Sequence, residues 1–146
     1  MTLAAIRALF ETELTTAYGA LLQPAVVVYD NVQETPPADA SGGFVIISIT
    51  FPGLTEPLLC PTESGIERIR GTVQISCYAP RGQGMKRLQE LTTVGAQTLV
   101  GIKAAAAASP DVFSAAVGEI EGPETLLSGD APHALATLAA PFTARV

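Results

Sequence analysis

The stretch that decides the fold runs from Ile66 to Ala104 and reads IERIRGTVQISCYAPRGQGMKRLQELTTVGAQTLVGIKA. Its first half alternates apolar and polar side chains with the period of two that is typical of a half-buried strand. Pro80 and the glycines of Arg81-Gly82-Gln83-Gly84 then predict a strand end and a chain reversal. The apolar face of this strand comprises Ile69, Gly71, Val73, Ile75, Cys77 and Ala79.

The second half of the stretch has helical spacing. Apolar or small residues recur at three- and four-residue steps from Leu88 to Ile102, and the alanines at 104–108 favour continuation of the helix. Ser109-Pro110 predicts its end. We therefore expect one helix that runs back over the long strand.

The rest of the sequence predicts one more helix and four more strands. A stripe of apolar residues predicts a first helix from about Thr2 to Tyr18 or Ala20. Pro141 predicts that the last strand lies at a sheet edge or ends there, because proline cannot donate to a ladder. The other predicted elements are strands at 25–29, 44–51, 111–120 and 134–144, with a loop at 121–132.

These elements predict one α+β domain over residues 1–146. We expect a mixed, mostly antiparallel sheet of about five strands with two helices packed on one face, in the order helix-strand-strand-strand-helix-strand-strand. If the third and fourth strands are parallel, the helix between them forms a right-handed crossover. Only 15% of the residues are charged and mean hydropathy is +0.37, which favours self-association. The high mean hydropathy could also come from alanines on exposed helix faces, in which case it would not indicate self-association.

The composition also bears on location. No run reaches the roughly 20 apolar residues that span a bilayer, so we expect no membrane association. The N-terminus lacks a basic leading region and carries Glu11 and Glu13, which argues against a cleaved signal. Cys60 and Cys77 lack metal-ligand spacing and are interpreted as reduced thiols rather than a disulfide.

Catalytic and cofactor motifs are weak. His133 is the only histidine, and the residues around it do not suggest a catalytic triad or metal site. The segment Gly82-Gln83-Gly84 lacks the spacing of a phosphate loop and is interpreted as a turn. Glu119 and Glu121 could form a carboxylate pair but are better interpreted as solvated charges. We expect no catalytic residues, cofactor or metal.

Direct nucleic-acid binding is disfavoured. The formal net charge is −6, the pI is about 4.6 and aromatic residues make up 5% of the chain, so neither a basic groove nor a stacking platform is evident. An acidic protein can nevertheless surround DNA without gripping it, because repulsion leaves the strand free to slide.

The charges are segregated along the chain. Residues 8–67 contain eight acidic residues and no basic one, whereas residues 68–103 contain six basic residues and only Glu90 as an acid. Residues 104–144 contain five acidic residues and no basic one. Either the sheet brings these segments together and neutralises them within one subunit, or opposite patches meet head to tail across copies, which can close a ring.

Two short strings carry a family resemblance. The string TVQISCYAPRGQGMKRLQEL at 72–91, taken with VYDNVQETPPAD at 28–39, resembles the tail terminator family of long-tailed bacteriophages. Members of that family show a strand ending in Tyr-Ala-Pro, a Gly-x-Gly turn and then a helix. The similarity covers most of the chain in the order of its elements.

The resemblance implies a structural virion protein rather than an enzyme. In that family a hexameric ring caps the tail tube, stops its growth and presents the surface for neck or head attachment. It implies the tail tube protein, a neck or connector protein and possibly a tail sheath as partners, with DNA passing through the ring without specific binding. It places the chain at the head-proximal end of the virion tail, and in the host cytoplasm during assembly.

Other functions remain open. One is a neck or head-completion protein of similar size. Another, from a different class, is a small ligand-binding or enzymatic α+β domain that uses the segment from Pro52 to Gly65 as a lid.

Residues for a subunit interface follow from strand periodicity. Arg68 and Arg70 share the face opposite the apolar one, where they could meet carboxylates of a neighbour. Glu119 and Glu121 are candidate partners, together with Glu56 and Glu63. On the second strand, Phe44 and Ile46 lie opposite the more apolar face and would need a cover, for which a neighbouring subunit is a candidate.

A second candidate contact is the segment Pro52–Gly65. It carries leucines without periodicity, which is typical of a loop that docks on something. We expect it to contact the tail tube, the neck or an adjacent subunit, although it could fold back on its own domain. Its candidate contact residues are Leu54, Glu56, Leu58, Leu59 and Glu63.

Overall fold

A computed structural model of the chain describes residues 3–22, 24–29, 43–51, 68–80, 85–110, 112, 114–126 and 133–145. These residues form three helices and six strands. The helices are α1 (Leu3–Gly19), α2 (Lys86–Val100) and α3 (Ile102–Ala107). The strands are β1 (Val26–Tyr29), β2 (Phe44–Thr50), β3 (Arg68–Pro80), β4 (Ser114–Val117), β5 (Glu121–Leu126) and β6 (His133–Arg145).

The strands form one mixed sheet in the order β1-β2-β3-β6-β4, and β5 pairs with β6 beyond the end of β4. Only β1 and β2 are parallel among these pairs. The helices pack on one face of this sheet, which confirms the predicted α+β class. Strands β3 and β4 run in the same direction, since both are antiparallel to β6, but β6 lies between them.

The core lies between the helices and the inner face of the central pair β3–β6. Both strands have 13 residues and are paired along their full lengths. The alternation that predicted the strand face is confirmed, because Val73, Ile75 and Cys77 have no exposed surface. The β6 residues opposite them are Ala140, Leu138 and Ala136, which are also buried.

Aromatic rings fill the end of the core near Gly71. Phe142 lies opposite Gly71 on the neighbouring strand, and a Cβ at Gly71 would come within 2.5 Å of its ring. Phe10 of α1 and Phe51 contact the same ring, with centroid distances of 4.9 and 5.9 Å. A glycine in a strand often marks such a close approach, so Gly71 is a packing residue.

Helix α1 is fixed against α2 and the sheet through Tyr18. The Tyr18 hydroxyl is buried and donates a hydrogen bond to the Leu91 carbonyl oxygen at 2.8 Å. It lies 3.9 Å from the Cys77 sulfur. A Cβ at Gly95 would stand 2.7 Å from that hydroxyl, so the absence of a side chain at Gly95 lets the tyrosine enter between helix and sheet.

The prediction of a single helix after the long strand is wrong in one respect. Helix α2 ends at Val100 and α3 begins at Ile102, with Gly101 between them. Gly101 has φ −79° and ψ −3°, which departs from the ψ of about −42° in an α-helix. Glycine is a poor helix former, which explains why the break falls at this residue.

Two expectations for the end of the chain are also wrong. Part of the expected loop at 121–132 is strand β5, which pairs with β6 through Glu121 and residues 124–126. Strand β6 is not an edge strand, since β3 flanks it on one side and β4 and β5 on the other. Pairing with β6 therefore outweighs the turn-like composition of Gly122-Pro123.

The backbone geometry explains how Pro141 fits inside β6. Its carbonyl oxygen accepts a hydrogen bond from the Gly118 N–H at 2.8 Å, so it faces the β4 side. The nitrogen and carbonyl of one strand residue point to the same side, so the missing donor also faces away from β3. Along β6, Pro141 lies between the part that pairs with β4, which ends at Val117, and the part that pairs with β5, which starts at Glu121.

Candidate subunit interface

The outer face of the sheet is the side opposite the helices. It is formed by alternate residues of the central strands, several of which are exposed. Most are hydroxyl or small side chains, and Arg70 is the charged residue among them. We define the outer face by Ile46, Ser48, Thr50, Arg70, Thr72, Gln74, Ser76, Leu135, Thr137, Ala139, Pro141 and Thr143.

The two predicted arginines have the strand parity of the outer face. Arg70 is exposed and lies opposite Thr143 of β6. Arg68 is two residues away on the same strand and lies opposite Arg145 in register. Ile69 between them is buried, as the alternation requires.

The strand register places a third arginine, which the sequence interpretation did not consider, beside Arg68. Arg145 is the last residue of β6 and lies between Arg68 of β3 and Ser114 of β4. Ala144 is buried, so Arg145 has outer-face parity. That parity could be inferred from the sequence, but the register with Arg68 could not. We call Arg68, Arg70 and Arg145 the arginine corner.

The two apolar residues predicted for the subunit interface, Phe44 and Ile46, differ in how much of their surface a neighbour could reach. Phe44 is only 3% exposed, and its ring stacks on Tyr78 with centroids 4.6 Å apart and an interplanar angle of 5°. Phe44 is thus covered within its own chain, which leaves little of its ring for a neighbour. Ile46 is half-buried and keeps part of its side chain accessible.

The predicted carboxylates lie on the opposite side of β6. Glu119 and Glu121 are exposed, and Glu121 lies opposite Ala139 at the start of β5. Glu124 is opposite Thr137, so both paired glutamates lie beside outer-face residues of β6. We call Glu119, Glu121 and Glu124 the acidic edge.

The structure does not bring the arginine corner and the acidic edge together. Arg70 lies opposite Thr143 and Glu121 opposite Ala139, so they are separated by four residues along β6. That spacing is about 13 Å along the strands, to which roughly two strand spacings of about 4.8 Å are added across the sheet. A direct ion pair between them within one chain is therefore out of reach.

The ion pairs seen between described residues do not join the segregated charges. Between residues that the structure describes, Arg7 pairs with Glu11 at 3.5 Å and Arg87 with Glu90 at 3.1 Å. Each pair lies within a single helix. Within the described ranges, no ion pair links the basic segment to an acidic flank.

Two buried polar groups belong to the core rather than to this face. Burial raises the pKa of the Cys77 thiol to about 11. Burial also raises the pKa of the Tyr18 hydroxyl, and the neighbouring Cys77 raises it further. Both groups are therefore protonated at neutral pH, which makes Cys77 a poor nucleophile.

A further surface feature is a groove of about 560 Å³ between α1 and the region around α3. Its walls are mainly alanines, with Leu9 at the base and Glu13 as the charged residue in its lining. Thr12, Glu13 and Ser109 supply the polar side chains of this lining.

Several residues predicted to contact the tail tube or the neck lie outside the part of the chain that the structure describes. The segment Pro52–Gly65 lies outside the described residues, and so do its contact residues Leu54, Glu56, Leu58, Leu59 and Glu63. No group of three or more His, Cys, Asp or Glu suited to a metal occurs in the described ranges. None of the helices described is both long and apolar enough to cross a membrane.

Comparison with known proteins shows the fold alone. No family model and no curated protein matches the chain. One similar solved structure superposes with a TM-score of 0.71 at 19% sequence identity, covering 100% of this chain and 97% of the other. That protein carries a serial designation that names no activity.

Proposed function

We propose that this chain is a structural protein of a tailed-phage virion, a tail terminator that assembles into a ring of about six copies. The ring caps the tail tube at its head-proximal end and stops its growth. It then presents the surface to which the neck attaches. The number of copies and the location come from the resemblance of residues 72–91 to the tail terminator family.

The observation that carries this proposal is the separation of opposite charges on one sheet. Arg70 is exposed near one end of the outer face, whereas Glu121 is exposed several residues away at the β5 edge. Opposite charges that are too far apart to pair with each other within a chain can pair between copies. A contact between two different patches repeats from copy to copy and closes when the rotation allows.

The proposed partners follow from this position in the virion. The ring contacts the tail tube on one side and a neck or connector protein on the other, and a sheath protein in a contractile tail. DNA passes through without specific binding, which suits a net charge of −6. The role is one of assembly rather than catalysis.

Disruption of this gene in a phage that carries it tests the proposal. A nonsense mutation should give lysates that contain filled heads and separate tail tubes of uncontrolled length, as seen by electron microscopy. Expression of the intact chain in the host should restore virions with tails of uniform length. Normal virions from the mutant would contradict the proposal.

The same micrographs distinguish the alternative of a neck or head-completion protein. Loss of a neck protein should leave tails of normal length that fail to join heads, because tube growth would still be stopped. The segment Pro52–Gly65, on which the enzymatic alternative relies as a lid, lies outside the described residues. No observation on the described residues favours that alternative over assembly.

A further inference from the structure

We draw no further inference here: the strongest candidate, the alanine-lined groove between α1 and α3, is a stripe of small side chains, and nothing in the structure shows what covers it.

Discussion

The buried hydroxyl of Tyr18 shows how single residues set the packing of this protein. The hydroxyl reaches the Leu91 carbonyl because Gly95, one helical turn later, has no side chain in its way. A polar group at this depth is tolerated because it is hydrogen-bonded. One glycine and one tyrosine therefore fix the approach of α1 to α2.

We expect Gly95→Ala to lower the free energy of unfolding by about 1–3 kcal/mol, although alanine is the better helix former. The added methyl would stand 2.7 Å from the Tyr18 hydroxyl and 3.2 Å from Ile75 Cδ1. Urea unfolding followed by circular dichroism measures the change. The loss should be smaller in a Tyr18→Phe background, which removes the hydroxyl.

Gly19→Ala is the control for that experiment, because a Cβ there meets nothing within 4 Å. It should leave stability unchanged or slightly higher. Equal effects of Gly95→Ala with and without the Tyr18 hydroxyl would contradict the packing argument.

Cys77 makes stability depend on pH in the alkaline range. Its pKa rises from an ordinary value of 9.0 to about 11 on folding, so the folded state holds the thiol proton more tightly than the unfolded state. The contribution is complete below pH 9 and is lost as the pH rises to about 11. The free energy of unfolding should therefore fall over that interval.

Cys77→Ala isolates this effect. The variant leaves a small cavity and should be less stable at all pH values, but its stability should fall less between pH about 8 and about 10.5. Urea unfolding at both pH values gives the two slopes. Identical slopes for the natural chain and the variant would show that Cys77 does not contribute.

At the scale of elements, Arg7 connects α1 to the sheet. Its guanidinium donates to the Ile49 carbonyl oxygen of β2 at 3.0 Å. Ile49 lies beyond Ile47, the last β2 residue that pairs with β1. Arg7 thus binds a part of β2 that β1 no longer covers.

We expect Arg7→Met to lower the free energy of unfolding by about 1–2 kcal/mol, because it removes a charge-assisted hydrogen bond while keeping an apolar stem. Glu11→Gln should cost less, about 0–1 kcal/mol, since the Arg7–Glu11 pair is part-exposed. Urea unfolding compares the two variants, and hydrogen exchange of residues 48–50 should rise in Arg7→Met only. A larger loss in Glu11→Gln would contradict this role.

Local patterns predicted the elements better than their pairing. The alternation of β3 placed Ile69 in the core and Arg70 outside because burial and strand period are both encoded locally. The break at Gly101 and the strand at β5 depend on a small difference in helix propensity and on pairing with β6. Similarly, Pro141 could be placed within β6 only once its neighbours were known.

The candidate interface shows the same limit. Strand parity predicted that Arg68 and Arg70 share a face, which the register confirms. The pairing of Arg68 with Arg145 in the strand register depends on which strands are neighbours, and periodicity does not contain that information. Sequence therefore found two arginines of the corner and missed the third.

At the scale of the whole molecule, the proposed assembly uses the open sheet face and the separated charges as two different patches for contact between copies. Exposed ion pairs contribute only about 0–1 kcal/mol each, so a single contact of this kind is weak. Closure of a ring repeats the contact at every subunit boundary. Assembly then depends on geometry as well as on charge.

Electron microscopy of the purified chain at low salt tests the central claim most directly. Six copies of the 15.1 kDa chain form a ring of about 91 kDa, and class averages should show closed rings with about sixfold symmetry around a central channel. Rings should be of uniform size, because closure fixes the number of copies. Single particles of about 15 kDa at every concentration, or open filaments without closed rings, would contradict the account.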